Sequence, residues 1–431
     1  MQIPDIIKGS LDYIERNLKT DITAEELARM ANYSTFHYYR LFSSVMDASV
    51  ASYILKRRLD HALSEIAVGR KAIEVVMEYG FDTYAGFYKA FMKMYGCSPK
   101  KFIAIYGKHT PKIPEVATMY TEKELRKILE NWDIEKNLPI EDICIPDGAK
   151  PSGSDWTVGG YVLRTGDREK LLKDIKIAEA LDCQGFASAL PVPTTAGGAY
   201  LDGREVFILT HRLQGSPLSK PERFGDRRTA VGEEYGAGIA RLHRALKEVQ
   251  NDVSPDDVDL YRIVTDWALP NFRQQNVQWN MGLDERFFRD YLDGFGRLYG
   301  KLPRQLVHRN PHPGNILFSD GAVSGFINFD MGEVNIRLWD VCYCSTGLLS
   351  ETDEENYEKW LDVLGGILRG YDRENRLTTE EKQAIFPVIL SIQMVFAVYL
   401  EGREELRPLG DTNRKMLKFI VRHKTEIDRL I

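Results

Sequence analysis

The chain is poor in cysteine, with five in 431 residues, at Cys97, Cys144, Cys183, Cys342 and Cys344, and none in a C-x-x-C pair. An odd, scattered set excludes a zinc ribbon or a dithiol redox motif and reads as reduced thiols in a cytoplasmic protein. "MQIPDIIKGSLDYIERN" is not expected to act as a secretory leader, because it has acids in its first turns, where a signal needs a basic start and an apolar stretch. Long uninterrupted apolar runs are also absent. The longest, "AIFPVILSIQMVFAVYL", carries Pro387, Ser391 and Gln393 and is short for a bilayer, so it reads as a buried core helix and not a membrane span. The chain as a whole lacks a basic excess, with a net charge of −6.

What is present is an ordinary globular mixture, 43% hydrophobic and 28% charged, enough for two or three cored domains. The charge is uneven. Residues 1–110 hold 15 Lys and Arg against 12 Asp and Glu, and the remainder 42 against 51, so only the first segment has a balance suited to phosphate.

Within that segment, "DITAEELARMANYSTFHYYRLFSSV" opens with a capping box, Thr23 and Glu26, and then Leu27, Met30 and Ala31 at helical spacing. Ser34 can cap a second helix that exposes Thr35, His37, Tyr39 and Arg40, the arrangement of a groove-reading helix-turn-helix. "SVASYILKRRLDHALSEI" predicts a connecting helix with Leu55, Leu59, Ala62 and Ile66 on one face and Lys56, Arg57 and Arg58 on the exposed side. The pattern then returns: a helix with Ile73, Val76 and Met77, a turn at Gly80, and an aromatic-rich helix beginning near Asp82 or Thr83. Arg40 and Phe42 recur as Lys89 and Phe91, both shifted by 49 positions. Two such units on a helical spacer could enter successive major-groove segments about 34 Å apart.

"GFDTYAGFYKAFMKMYGCSP", with Gly80, Phe81, Phe87, Phe91, Gly96, Ser98 and Pro99 in place, resembles the closing pattern of the AraC/XylS transcription regulators, and "YRLF" and "LKRRLDHAL" extend the likeness over the first 105 residues. The resemblance implies base-reading positions at Phe36, Tyr39 and Arg40 in the first unit and Ala85, Tyr88 and Lys89 in the second, with Thr35 and Tyr84 completing the DNA-facing set. Ala85 and Gly86 can meet a thymine methyl but offer no bidentate hydrogen bond, which puts more of the specificity on the first unit.

Prolines after residue 110 mark a boundary, so the expected organisation is a DNA-binding domain over 1–110, a connector with the first strands over 111–155, and a third segment over 156–431. There, "GGYVLRT" and "EVFILTHRL" read as strands flanking the helix "REKLLKDIKIAEALDCQGF", and helices follow: an α+β two-lobed body. "GAGIARLHRAL", "LVHRNPHPGNILF" and "SGFINFDMGEVNIRLWDVCY" resemble the aminoglycoside phosphotransferase and choline kinase family, whose signature is L-A-x-L-H, H-G-D-x-x-x-x-N and I-D-x-D. The overall fold class is therefore multi-domain, an all-α double helix-turn-helix domain followed by a protein-kinase-like one.

In a kinase-like lobe a basic residue on the third strand pairs nucleotide phosphates and a helix acid. Arg164 fits the first role, Asp174 or Glu179 the second, and His211 in "LTHRLQG" falls where a hinge would meet an adenine. The resemblance further implies a nucleotide with magnesium as cofactor, for which Asn315 and Asp330 are the retained metal positions. His308, His312 and Asp340 read as residues that hold the loop's fold.

Two departures decide the functional reading. Asn310 stands at the catalytic-base position and Asn328 at the first acid of I-D-x-D. An amide is no proton acceptor at neutral pH and lacks the charge that holds magnesium. The expected function is a DNA-binding transcription regulator whose kinase-like domain senses a small molecule, a cationic amine or amino-sugar, without phosphotransfer, with double-stranded DNA and RNA polymerase as partners and no membrane. The alternative is an active small-molecule kinase with an appended DNA-binding domain, since phosphoryl transfer depends chiefly on positioning and electrostatics.

Overall fold

A computed structural model describes residues 3–31, 33, 35, 38–39, 42, 46, 49–95, 98–100, 102, 120, 122–144, 151–202, 205–253, 255–401 and 407–430. The chain divides into two compact units, Met1–Thr121 with Glu401–Arg407, and Glu122–Leu400 with Pro408–Ile431. The boundary expected near residue 110 lies outside the described residues.

The first unit contains α1 (Ile3–Asn17), α2 (Ala24–Met30), α3 (Val50–Ala67), α4 (Ala72–Glu78) and α5 (Tyr84–Tyr95). Between α2 and α3, Thr35, Tyr38, Tyr39, Phe42 and Met46 are helical. One core serves both halves: Ile7, Leu11 and Ile14 of α1, Leu27 of α2, Tyr38, Phe42, Leu59 and Ala62, Val75 and Val76, and Phe87 and Phe91. Thr23 Oγ1 accepts from the Glu26 amide at 3.2 Å. Only that half of the capping box forms, because the Glu26 carboxylate takes the Tyr13 hydroxyl at 2.6 Å instead.

Three helix faces differ in part from the sequence expectation. Met30, Ile73 and Met77 are exposed, at 49%, 50% and 59%, while Val75 and Val76 face the core. On α3, Leu55 is exposed and Tyr53, Ile54 and Leu63 are buried. Arg57, expected on the solvent side, is 1% exposed. Its Nε and Nη2 donate to the two oxygens of Glu15 on α1 at 2.5 and 2.9 Å. Burial alone would raise the Glu15 pKa, but hydrogen bonds from Arg57 and His61 bring it down to about 2. Arg58 likewise turns inward, donating to the carbonyls of Leu18 and Thr20 at the end of α1.

The second unit begins with α6 (Glu122–Leu129), inside the stretch expected as a connector, and continues with β1 (Ile140–Cys144), β2 (Pro151–Val158), β3 (Tyr161–Gly166), α7 (Arg168–Cys183) and β4 (Val206–His211). The strands form one antiparallel sheet in the order β1-β2-β3-β4, with Asp155 opposite Arg164 and Arg164 opposite Ile208. After β4 the chain passes Gly215 and exchanges backbone hydrogen bonds between Ser216 and Phe318, at 2.9 and 3.1 Å, into the larger lobe.

That lobe holds α8 (Lys220–Phe224), α9 (Arg228–Val253), β5 (Asp256–Asp257), α10 (Leu260–Ile263), α11 (Leu269–Gln275), α12 (Glu285–Tyr299), β6 (Arg304–Val307), β7 (Ile316–Ser319), β8 (Ala322–Phe326) and β9 (Glu333–Ile336). It closes with α13 (Leu338–Ser350), α14 (Tyr357–Glu374), α15 (Thr379–Glu401), α16 (Arg407–Arg422) and α17 (Lys424–Ile427). Helix α15 is long and apolar enough to cross a membrane by length and composition, yet 67% of its apolar window is buried inside the protein. It is a core helix, with Ile385, Val388, Ile389, Ile392 and Met394 all shielded.

Helices α9 and α14 approach at backbone distance. Glycines face each other across the crossing, Gly232 and Gly236 on one helix and Gly366 and Gly370 on the other. A Cβ on Gly236 would lie 2.0 Å from the Ile367 carbonyl oxygen, a backbone atom that can yield only by moving its helix. Gly236→Ala is therefore expected to cost about 1–3 kcal/mol or more of stability through overpacking. All six tryptophans lie in the second unit, so a urea titration followed by tryptophan fluorescence reads this loss directly.

Candidate functional site

On the first unit, Thr83 Oγ1 accepts the Gly86 amide at 3.0 Å and starts α5, while Gly80, at φ 80°, supplies the left-handed turn before it. Phe87 and Phe91 anchor one side of α5 in the core, which leaves Tyr84, Ala85, Tyr88 and Lys89 together on the exposed side. In the first helix-turn-helix unit, Tyr39 is exposed, Thr35 is half-buried and Tyr38 is a core residue. Ser34, Phe36, His37 and Arg40 lie outside the described residues.

The larger lobe carries its loops on a buried carboxylate. Asp340, at the start of α13, accepts the backbone amides of His308 at 2.8 Å and Arg309 at 2.9 Å, and His243 Nε2 lies 3.0 Å from it. His243 Nδ1 meets the Tyr371 hydroxyl at 2.8 Å, so the imidazole links α14 to the Asp340 carboxylate of α13. His308 is fully buried, with Nε2 on the Ile327 carbonyl at 3.0 Å, and burial holds its pKa below the usual imidazole range. Arg309 sits at φ 71°, where the H-G-D signature carries glycine. Its guanidinium lies 3.6 Å from the Trp339 ring centre and its Nε 2.6 Å from Glu333, while Trp339 Nε1 donates back to the Arg309 carbonyl at 2.9 Å. These contacts hold a left-handed residue that costs about 1–2 kcal/mol.

Held by that scaffold, two asparagine side chains join. Asn315 Nδ2 donates to the backbone carbonyl of Asn310 at 3.0 Å, which turns its Oδ1 toward Asn328. Asn328, at φ 67°, donates Nδ2 to that oxygen at 2.8 Å. The side-chain oxygen that a divalent cation would take from Asn315 is thus already bonded to an amide proton. This donor set does not fit magnesium, which prefers charged oxygen ligands. Asp330 lies two residues beyond Asn328, and burial together with the negative charge of Asp174 pushes its carboxyl above the usual range.

On the sheet, Arg164 Nη1 donates to Asp174 of α7, and its Nε donates to Asp155 Oδ1 at 3.1 Å. The other oxygen of Asp174 accepts the Phe329 amide at 2.6 Å, tying α7 to the loop that carries Asn328. Glu179, the other acid considered for this pairing, is exposed. His211 is not part of the cluster: its ring lies tilted against Tyr161 with centres 5.4 Å apart and its amide donates to the Leu190 carbonyl at 3.0 Å, while the Arg212 amide donates to the Gly160 carbonyl. Both N–H groups are hydrogen-bonded within the lobe. His312 turns toward Glu351 Oε1 at 3.3 Å, and among the described residues no group of three or more His, Cys, Asp or Glu is arranged to hold a metal. Sequence reasoning missed Asp155, which no motif marks, and gave His243 no role although it ends the "ARLH" motif.

A helix-turn-helix domain profile matches residues 27–104, and the profile of the phosphotransferase enzyme family matches residues 154–376, more than half of the chain. The chain belongs to the phosphotransferase enzyme family. Its first unit is an AraC-type helix-turn-helix domain, 33% identical over 98 residues to the TetD protein of transposon Tn10 in Escherichia coli, which covers 71% of TetD and 22% of this chain. It is also 29% identical over 136 residues, 31% of this chain, to the HTH-type transcriptional regulator YbfP of Bacillus subtilis, of whose length the match spans 44%. The second unit is 25% identical over 287 residues to homoserine kinase of Zymomonas mobilis, 64% of this chain and 84% of that enzyme. Its fold is that of a microcompartment-associated aminopropanol kinase, with a TM-score of 0.50 at 13% identity over 72% of this chain and all of that one.

The amide pairing makes a definite demand on substitution. With aspartate at 328, either rotamer of the Asn315 amide leaves one close oxygen–oxygen contact, relieved only by a cation or a proton. Asn328→Asp is expected to lower the thermal midpoint, by the equivalent of about 1–3 kcal/mol, and to recover with magnesium chloride, whereas the parent protein gains nothing from the salt. An equal gain in both would mean that the amide pair does not bar the cation.

Proposed function

We propose that this protein is a DNA-binding transcription regulator whose kinase-like unit holds a small molecule without phosphorylating it. The observation that carries the reading is the side-chain amide pair of Asn328 and Asn315, with Asn328 set where the family's signature places a metal-binding acid and Asn310 standing at the position of the base. Asn310 cannot take a hydroxyl proton at neutral pH, and Asn328 spends its side chain as a donor to Asn315. What remains is the shape of a kinase, which encloses ligands well between its lobes. The Asp340 scaffold supports this: the loop is kept rigid although its chemistry is altered.

For the ligand to regulate, it must bind one arrangement of the protein more tightly than another, because equal affinity shifts nothing. The output is a change in DNA affinity, DNA bending or RNA polymerase contact, in the cytoplasm where the DNA is. The homoserine kinase relative acts on a small amine-bearing alcohol, and an amine or amino-sugar is the ligand class proposed. The retained Arg164–Asp174 pair and Asp330 favour the second reading, a working kinase with an appended DNA-binding domain.

Phosphate transfer from labelled ATP to a panel of amino alcohols, amines and amino-sugars separates the two. No turnover above background is expected from the full chain, and turnover at ordinary kinase rates of about 1–100 per second overturns the proposal. For the DNA side, Lys89→Ala is expected to weaken binding to the best duplex selected from a random pool by about 1–3 kcal/mol if Lys89 reads a base. Fluorescence anisotropy on selected and scrambled duplexes decides, since an equal loss on both reassigns Lys89 to a phosphate.

A further inference from the structure

Arg164 holds the position of the phosphate-binding cation, yet its guanidinium is engaged from two sides. Asp174 takes Nη1, as a helix acid would in a kinase, but Asp155 on the neighbouring strand takes Nε at 3.1 Å. The pairing is built into the sheet, because β2 and β3 place residues 155 and 164 directly opposite each other and so on the same face. Ser154 Oγ holds the second oxygen of Asp155 at 2.8 Å, which fixes the carboxylate toward the arginine. Arg164 is 16% exposed and Asp155 31%, so the pair is partly withdrawn from water, where charge is screened less.

Asp330 adds a third carboxylate to this cluster: it is close enough to Asp174 and Arg164 to feel both charges, with Lys170 contributing a further positive charge on Asp330. A nucleotide polyphosphate entering here would have to displace Asp155 from Arg164 and then face Asp155, Asp174 and Asp330 with no metal to offset its own charge. Asn328 brings an N–H to the Asn315 oxygen, where the family's signature would set a carboxylate that binds that metal.

We propose that Asp155 is a specificity-determining residue that bars metal–polyphosphate ligands from the cleft, so that the unit answers to its small molecule alone and not to ATP. This deepens the sensor reading and rests on it. A regulator of this kind would report its ligand independently of the cell's nucleotide pool, unlike a kinase, whose cleft is occupied by nucleotide whenever ATP is abundant.

The test is isothermal titration of the full-length protein with the non-hydrolysable ATP analogue AMP-PNP, with and without magnesium chloride. The parent protein is expected to show no binding up to about 1 mM under either condition. Asp155→Ala releases the Nε side of Arg164, leaving its pairing with Asp174, and is expected to tighten binding at least tenfold, with Asp155→Asn, which keeps the shape and removes the charge, gaining in the same direction. Thermal melting of each variant establishes that it is folded, and Asp155→Asn stands in if Asp155→Ala is not. Saturable binding by the parent with a Kd near 10 μM overturns the proposal, as does a folded Asp155→Asn variant that gains nothing. Nucleotide binding without phosphate transfer would sink this inference and leave the sensor reading intact, whereas transfer would sink both.

Discussion

The arrangement of the kinase-like unit depends on the burial of Asp340. A carboxylate with no exposure to water must be fully hydrogen-bonded, and this one is satisfied by two consecutive backbone amides and by His243. Hydrogen bonds to a charged acceptor contribute about 1.5–3 kcal/mol each. Together they fix the peptide planes of His308 and Arg309 and hold Arg309 in a left-handed conformation that an arginine would otherwise leave. Everything downstream inherits that geometry: the carbonyl of Asn310, the amide of Asn315 that donates to it, and the amide of Asn328 that donates to Asn315.

The same constraint explains why the loop can lose its carboxylates without losing its shape. In a magnesium-dependent kinase the facing oxygens of this loop are reconciled by a cation. Here an Asn328 N–H meets the Asn315 oxygen directly. Asp174 completes the frame from the other lobe, since one of its oxygens serves Arg164 and the other the Phe329 amide. A ligand that moved the lobes would act on this junction, which gives a physical route from binding to a change of state.

In the first unit the corresponding constraint is the shared core. Leu27, Leu59, Val75, Phe87 and Phe91 belong to one cluster, so both helix-turn-helix units pack on the same spacer helix. The Glu15–Arg57 pair locks α1 onto that spacer, and removing one partner of such a buried pair costs about 3–5 kcal/mol. The exposed face of α5 is therefore presented by a rigid base, as a surface that reads a groove must be.

Much of this was legible in the chain itself. Helical spacing, turn glycines and the capping threonine marked the helix-turn-helix repeats, and the motifs around His308, Asn315 and Asn328 marked the kinase-like loops, because local backbone geometry and short-range hydrogen bonding are encoded within a few residues. The loss of two carboxylates was readable in the same way, since charge belongs to a residue type. The buried side of each helix was legible only in part: Leu27, Leu59, Ala62 and Val76 are buried as their spacing predicts, but Arg57 turned inward, onto Glu15 of α1, and Met77 outward. Nor could the spacing of motifs reveal that Asp155 would meet Arg164, that His211 would spend its amide on Leu190, or that the side-chain amides of Asn315 and Asn328 would pair. Those contacts link residues across strands and loops, and only the tertiary structure brings the donors and acceptors within bonding distance.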